Sequence, residues 1–311
     1  MRDSVRRIRA VIATVLLIVL VSATFAGAEP SPPPPTATTL SWADLSKMPL
    51  PPAAVRIPYG RAPQQFGELR VPAGEGPFPV MVLIHGGCYQ NAFDYVYITR
   101  LAAWLTEHGV ATWTIEYRRL GDDGGGWPGT FQDVAAATDS LRQIATASRI
   151  DLERVYAAGH SAGGQLALWL ATRQKLAESS ALFTKDPLPI HGVLGLAAIT
   201  DLAQYRHGAP RSCHSSVEPL LGGTPEEVAI RYAETSPKER LPIGVPQVFI
   251  HGEKDPIVST ESVQAYADAA KNAGDKVVVL PLRSLGHFEA SVPLPSTEAA
   301  FQQALSFLLE R

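Results

Sequence analysis

This chain contains few cysteines and few charged residues. Among its 311 residues there are two cysteines, Cys88 and Cys213, and neither has the paired spacing of a zinc site. Charged residues make up 18% of the sequence, the formal net charge is −3, and the body of the chain has no long basic tract. The sequence therefore does not indicate a zinc module or a nucleic-acid-binding surface.

The two cysteines allow two interpretations. In an exported protein Cys88 and Cys213 can form a disulfide. Two separate, half-buried thiols fit the sequence equally well, because the distance between the side chains is not given by their spacing along the chain. The Asp-Asp-Gly-Gly-Gly run at 122–126 lacks the spacing of a calcium loop and is interpreted as a flexible turn. We expect no metal and no cofactor.

The N-terminus has the pattern of a secretory signal peptide. Four arginines within the first nine residues precede an apolar stretch at 11–21, and Ala-Gly-Ala at 26–28 offers a cleavage site. We predict a signal peptide over 1–28, cleavage after Ala28, and a periplasmic or secreted mature protein. The alternative is an uncleaved membrane anchor, for which the apolar stretch is short.

The remainder divides into a linker and one domain. Residues 29–52 are rich in proline, threonine and alanine, with few large apolar side chains before Trp42, which is typical of an extended linker. From 53 to 311 the sequence is long and apolar enough to form a single α/β domain. The stretch at 200–240 shows no clear strand and is expected to form a small cap or long loops.

Strand-like and helix-like segments alternate through this domain. Strands are predicted at 65–71, 79–84, 110–117, 155–158, 193–198, 247–250 and 276–280, and helices at 96–107, 130–145, 162–172, 260–273 and 296–309. Several strands are continuous apolar runs, which is typical of strands buried on both faces. Repeated βα units predict an α/β fold with a mostly parallel central sheet and helices on both faces.

A Gly-His-Ser-Ala-Gly motif at 159–163 lies between a predicted strand and a predicted helix. That context is typical of a nucleophile elbow, in which a tight turn raises the serine hydroxyl above the sheet. The start of the following helix presents free N–H groups to negative charge. Ser161 is therefore the candidate nucleophile.

A serine nucleophile needs a base and a group that orients the base. His287 follows the strand predicted at 276–280, and Asp255 follows the strand predicted at 247–250. Both would lie at the carboxyl edge of the sheet, and the chain order Ser, Asp, His is that of α/β-hydrolases. Glu253 is a rival for the carboxylate role. Among the other histidines, His85 and His251 end buried strands and are expected to be structural, and the His160 side chain is expected to point away from the base.

The predicted oxyanion hole combines two loops. The N–H of Ala162 follows the nucleophile directly, and the His-Gly-Gly-Cys-Tyr motif at 85–89 provides Gly87 and Cys88 as further donors. The glycines there allow the backbone to turn its N–H groups inward. Aromatic residues near these loops are candidates for the substrate pocket: Tyr89, Trp127, Tyr205 and Phe288.

These motifs together resemble the α/β-hydrolase superfamily, over residue 65 to the C-terminus. The motif at 85–89 is similar to the His-Gly-Gly-x-Trp element of the BD-FAE-like and kynurenine formamidase-like esterase group, with Tyr89 in place of tryptophan. Glu-Tyr-Arg at 116–118 and Trp-Pro at 127–128 also resemble that group. In the group the second glycine and the residue after it supply the oxyanion N–H groups, which correspond to Gly87 and Cys88.

The resemblance implies a serine hydrolase of the carboxylesterase type, acting on a small-molecule ester through an acyl-enzyme. An amidase or peptidase of the formamidase or prolyl oligopeptidase kind would use the same triad. A binding module on an inactive hydrolase fold is a third hypothesis, against which the complete triad argues. We expect no nucleic-acid partner and no membrane span after cleavage.

Overall fold

The computed structural model describes residues 39–208 and 212–310. The predicted signal peptide and the first part of the predicted linker, 29–38, lie outside the described residues. The strands are β1 (Val55–Pro58), β2 (Phe66–Arg70), β3 (Phe78–Ile84), β4 (Ala111–Ile115), β5 (Ile150–His160), β6 (Val193–Leu196), β7 (Gln247–Gly252) and β8 (Val277–Leu282). The helices are α1 (Trp42–Lys47), α2 (Thr99–Glu107), α3 (Gly129–Asp139), α4 (Leu141–Ile144), α5 (Ala162–Leu170), α6 (Leu202–Tyr205), α7 (Val217–Leu221), α8 (Ala229–Thr235), α9 (Thr260–Asn272) and α10 (Glu298–Leu309).

Within the described residues the eight strands form one sheet in the order β1-β2-β4-β3-β5-β6-β7-β8. Strands β3 to β8 pair in parallel, while β1 and β2 form the antiparallel edge beside β4. The predicted α/β fold with a mostly parallel sheet is confirmed. The parallel strands place their carboxyl ends, and the loops that follow them, at one edge of the sheet.

Both faces of the sheet are covered by helices. Along β3, Val80, Val82 and Ile84 contribute to one apolar cluster, and the alternate residues Met81 and Leu83 to the other. Helices α3, α5 and α9 pack in the first cluster, and α2 and α10 in the second. Burial on both faces explains why this strand is a continuous apolar run rather than an alternating one.

The helix predicted at 130–145 forms in two parts. Helix α3 ends at Asp139, and α4 is a short turn that begins at Leu141. Between them the Ser140 hydroxyl donates to the backbone carbonyl of Ala137 at 2.7 Å. Such local side-chain bonding competes with regular helix geometry and is a physical reason for the interruption.

The structure departs from the predicted linker over residues 39–52. Helix α1 lies there, and its N-terminus is closed by a capping box between Ser41 and Asp44. The Leu45 side chain is fully buried in the second apolar cluster. Proline-rich composition concealed this helix, and the folded domain therefore begins before residue 53.

The segment at 200–240 packs onto the main domain. It contains α6, α7 and α8, and its apolar side chains enter the first apolar cluster, among them Leu202, Val217 and Leu220. Residues 209–211 lie outside the described part.

None of the helices in the described residues combines the length and the apolar character that a membrane span requires.

Candidate active site

Ser161 occupies a sharp turn between β5 and α5. Its backbone adopts φ 56° and ψ −119°, a conformation that L-residues rarely take and that costs on the order of 1–3 kcal/mol. The turn requires a glycine at 163, because a Cβ there would lie 2.2 Å from the Ile84 carbonyl oxygen. The predicted strand, turn and helix around the motif at 159–163 are all present.

Asp255 and His287 lie together above the neighbouring strands. Asp255 follows β7, His287 lies in the loop after β8, and His287 Nδ1 is 2.7 Å from Asp255 Oδ2. The Asp255 carboxylate is fully buried, and its other oxygen accepts the backbone N–H groups of Ile257 and Val258 at 2.8 and 2.9 Å. Glu253, the rival carboxylate, has an exposed side chain.

These contacts keep the Asp255 carboxylate ionised. Burial raises the pKa of Asp255, but the hydrogen bond and charge of His287, with the two backbone N–H groups, outweigh it and hold that pKa below its usual value. With Oδ2 as acceptor, Nδ1 of His287 carries the hydrogen of this bond. The other ring nitrogen, Nε2, is then unprotonated, as a candidate base requires.

Ser161 and His287 open into one cavity of about 220 Å³. The lining combines the two predicted oxyanion residues, Gly87 and Cys88, with a mostly apolar wall. The other lining residues are Trp42, Phe93, Tyr97, His160, Cys213, Ile257 and Phe288. The candidate nucleophile Ser161, the candidate base His287 and the 85–89 loop thus meet at a small pocket.

The 85–89 loop runs directly against the nucleophile turn. A Cβ on Gly86 would lie 3.0 Å from the Cβ of Ser161. The next residues, Gly87, Cys88 and Tyr89, all have positive φ angles of 110°, 56° and 60°. Ala162 is the first residue of α5, so its N–H lies at the helix N-terminus next to Ser161.

A disulfide joins Cys88 to Cys213, which are 125 residues apart. The sequence left open whether these cysteines pair or remain free thiols. The bond ties the 85–89 loop to the turn that precedes α7. Both cysteines line the cavity, so the disulfide is also part of the pocket wall.

A buried hydrogen-bond chain links the 85–89 loop to the His287 loop. The Gly86 N–H donates to Tyr97 Oη at 2.7 Å, and Tyr97 Oη lies 2.8 Å from His160 Nδ1. His160 Nε2 lies 3.1 Å from the His287 carbonyl oxygen. Tyr97 therefore donates to Nδ1, and neutral His160 donates through Nε2.

The surroundings of His160 explain its neutral form and correct an expectation. Burial, followed by the charge of His287, lowers the pKa of His160 well below 6.5. From the sequence, the His160 side chain was expected to point away from the base, yet its ring centroid lies 4.6 Å from that of His287. His160 is thus a structural neighbour of the base.

A second buried cluster supports the start of the 85–89 loop. His85 Nε2 lies 3.0 Å from Glu116 Oε1, and the Tyr117 hydroxyl donates to the His85 carbonyl oxygen at 2.8 Å. Burial raises the pKa of Glu116, but His85 and then Arg119 outweigh it, so that this pKa lies below its usual value. Of the Glu-Tyr-Arg run at 116–118, Glu116 and Tyr117 thus support the start of the loop.

The predicted pocket residues divide into one that lines the cavity and three that lie elsewhere. Phe288 lines it. Tyr89 is fully buried, with its hydroxyl donating to Gln165 Oε1 at 3.1 Å. Trp127 packs between Phe131 and the guanidinium of Arg231, and Tyr205 is buried against the His214 ring.

Sequence reasoning missed the wall formed by Trp42, Phe93, Tyr97 and Ile257. Trp42 was the one with a signal, since it is the first aromatic residue after the proline-rich run. Among the described residues, no group of three or more His, Cys, Asp and Glu side chains could hold a metal ion.

Comparison with solved structures returns esterases. A truncated carbohydrate esterase from gut microbiota aligns with a TM-score of 0.71 and 18% identity, over 84% of this chain and 98% of that one. Esterase 2 of the planctomycete Thermogutta terrifontis aligns with a TM-score of 0.64 and 20% identity, over 84% and 95%. Its form phosphorylated by paraoxon aligns with a TM-score of 0.65 and 19% identity, over 83% and 94%.

At these identities the structural matches establish the fold. No curated protein matched the sequence. The BD-FAE family model matches residues 69–269, a stretch that contains the 85–89 loop, Ser161 and Asp255. Because that stretch exceeds half of the chain, the protein belongs to the BD-FAE family, as its motifs had predicted.

Proposed function

We propose that this protein is a serine hydrolase that cleaves carboxylic esters through an acyl-enzyme, with Ser161, His287 and Asp255 as its catalytic triad. The observation that carries the proposal is the shared cavity of Ser161 and His287, with His287 Nδ1 held 2.7 Å from Asp255. The esterase neighbours are consistent with it, and one of them is an enzyme phosphorylated by paraoxon.

The geometry supports a two-step reaction. His287 Nε2 takes the proton of Ser161 as Oγ attacks the ester carbonyl carbon, and a tetrahedral oxyanion forms. The N–H groups of Gly87, Cys88 and Ala162 are the proposed donors to that oxyanion. His287 then protonates the departing alcohol, leaving an acyl group on Ser161.

Water completes the cycle. His287 removes a proton from a water molecule as it attacks the acyl-enzyme. When the resulting tetrahedral intermediate collapses, the bond to Ser161 Oγ breaks, protonated His287 gives its proton to Ser161 Oγ, and the acid is released. Asp255 stabilises the imidazolium in both halves of the reaction. The chemistry uses only groups of the chain and water.

Hydrolysis of p-nitrophenyl acetate by purified protein tests the proposal, with Ser161→Ala as the control. Activity that disappears in Ser161→Ala supports it. Full activity of the variant would show that the nucleophile is misassigned. A parallel panel of formamides and aminoacyl amides decides between ester and amide cleavage, and the proposal fails if amides alone are hydrolysed.

We also propose that the protein is exported, with cleavage after Ala28. The support is the arrangement of basic residues, apolar stretch and Ala-Gly-Ala in the first 28 residues. The disulfide between Cys88 and Cys213 is consistent with an oxidising compartment. Mass spectrometry of the secreted or periplasmic fraction tests this: a mature chain that begins near Glu29 is expected, and one that still begins near Met1 would contradict it.

A further inference from the structure

The segment before the first strand supplies a wall of the candidate active site. Trp42, the first residue of α1, lines the cavity beside Ser161. Its ring centroid lies 5.2 Å from that of Phe93, 5.3 Å from that of Tyr97 and 5.9 Å from that of Phe288. A single indole therefore contacts aromatic side chains from the connection that follows β3 and from the one that follows β8.

One end of this segment is bound to the loop that carries His287. The Leu40 N–H donates to Glu289 Oε1 at 2.6 Å, and the Gly286 N–H donates to Glu289 Oε2 at 3.1 Å. Glu289 is only 3% exposed, so its carboxylate holds both backbone groups away from water. These two hydrogen bonds to one carboxylate place Trp42 relative to the loop that carries His287.

The other end is bound to the body of the domain. Leu45 is fully buried in the second apolar cluster. The guanidinium of the buried Arg100 donates to the carbonyl oxygen of Pro49 at 2.9 Å and to that of Met48. With both ends held, the indole of Trp42 is a positioned part of the wall.

The cavity favours a short apolar group. At about 220 Å³ it is smaller than the roughly 300–1,000 Å³ of pockets that enclose drug-sized ligands. Apart from Ser161 and His287, its polar side chains are Tyr97 and His160, which are hydrogen-bonded to each other. Hydroxyl groups of a polar alcohol would find few partners there, whereas a hydrocarbon acyl chain needs none.

We propose that Trp42 is a specificity-determining residue that closes the acyl side of the pocket and restricts the enzyme to esters of short-chain acids. This inference rests on the proposed ester hydrolysis at Ser161. The alcohol half of the ester then lies outside the cavity, toward solvent, where a polar group such as a sugar is tolerated. Removing the indole opens space for additional methylenes of the acyl chain.

Two ester series test the proposal on Trp42→Ala and on the milder Trp42→Leu. The first varies the acyl chain as p-nitrophenyl acetate, butyrate, hexanoate and octanoate. The second varies the alcohol as ethyl, butyl and hexyl acetate. Trp104→Ala is the matched control, because it also removes an indole, but one that packs against His108 and Phe301 rather than against the cavity.

The expected result is a wild-type preference for acetate or butyrate, and an increase of about tenfold or more in the octanoate-to-acetate ratio of kcat/KM in both Trp42 variants. Trp104→Ala keeps the wild-type ratio, and the alcohol series is unchanged in all variants. The proposal is overturned if the acyl profile of folded Trp42 variants matches the wild type, or if the alcohol profile changes instead. Failure of the proposed function looks different: the wild type would hydrolyse no ester, and paraoxon would not label Ser161.

Discussion

The hydroxyl of Tyr97 lies 2.8 Å from Nδ1 of His160, below the cavity that contains Ser161. Through this contact the Gly86 N–H on one side is connected to the His287 carbonyl on the other. The two loops that carry the proposed oxyanion donors and the proposed base are therefore joined beneath the pocket. The arrangement indicates that the Tyr97 hydroxyl contributes to their relative position.

We predict that Tyr97→Phe lowers kcat about tenfold and changes KM little. The variant leaves the buried Gly86 N–H and His160 Nδ1 without their partner, at a cost of about 1–3 kcal/mol each, and it loosens the 85–89 loop. Steady-state kinetics on a short-chain ester check this. Tyr95→Phe is the control, since the Tyr95 hydroxyl bonds to Glu68 at the sheet edge. Equal losses in both variants would contradict the positioning role of Tyr97.

Replacing the proposed orienting carboxylate should have a much larger effect. Asp255→Asn keeps the side-chain shape but disfavours the His287 tautomer that leaves Nε2 free as a base, so kcat is expected to fall on the order of 10⁴-fold. Glu253→Gln, at the exposed rival position, should retain activity close to the wild type. The assignment is wrong if Glu253→Gln is the more damaging of the two substitutions.

The disulfide between Cys88 and Cys213 should stabilise both the fold and the pocket. Its removal in a Cys88→Ser/Cys213→Ser double variant is expected to lower the free energy of unfolding by about 2–5 kcal/mol, because the bond closes a long loop in the unfolded chain. Denaturant melts with and without dithiothreitol measure this. The reductant should lower the wild-type midpoint and leave the double variant unaffected; insensitivity of the wild type would argue against the pairing.

Stability should decrease as the pH falls below 6.5. Burial lowers the pKa of His160 well below 6.5 and also lowers the pKa of His251. Below pH 6.5 the unfolded chain gains protons at these residues that the folded protein does not bind, so the free energy of unfolding falls, by at most about 1.4 kcal/mol per pH unit for each histidine. Urea unfolding between neutral pH and pH 5.5 measures the slope of the free energy of unfolding against pH. His251→Asn should flatten it, and an unchanged slope in that variant would contradict this origin.

The parts of the site that could be predicted are those encoded by short motifs. The turn at Ser161, the loop at 85–89 and the placement of Asp255 and His287 after consecutive strands all depend on local sequence and on the rule that parallel strands end at one edge of the sheet. The residue types and spacings of these motifs can therefore be recognised from the sequence alone.

The pocket wall could not be predicted in the same way. Trp42 packs against Phe288, although the two residues lie near opposite ends of the sequence. In addition, the proline-rich composition before Trp42 suggested a linker. The pairing of Cys88 with Cys213 likewise depends on a distance that sequence spacing does not give. Tyr89 and Tyr205 were expected at the pocket because they are aromatic, but large aromatic rings are equally suited to the core, where both are buried.

The measurement that tests the central claim most directly is covalent labelling of the folded protein with paraoxon, followed by peptide mass spectrometry and an activity assay. The account predicts one diethylphosphoryl group per chain, located on Ser161, with ester hydrolysis lost in proportion to labelling and no adduct in Ser161→Ala. A folded protein that hydrolyses esters while Ser161 stays unlabelled, or one that is labelled equally in Ser161→Ala, would contradict it.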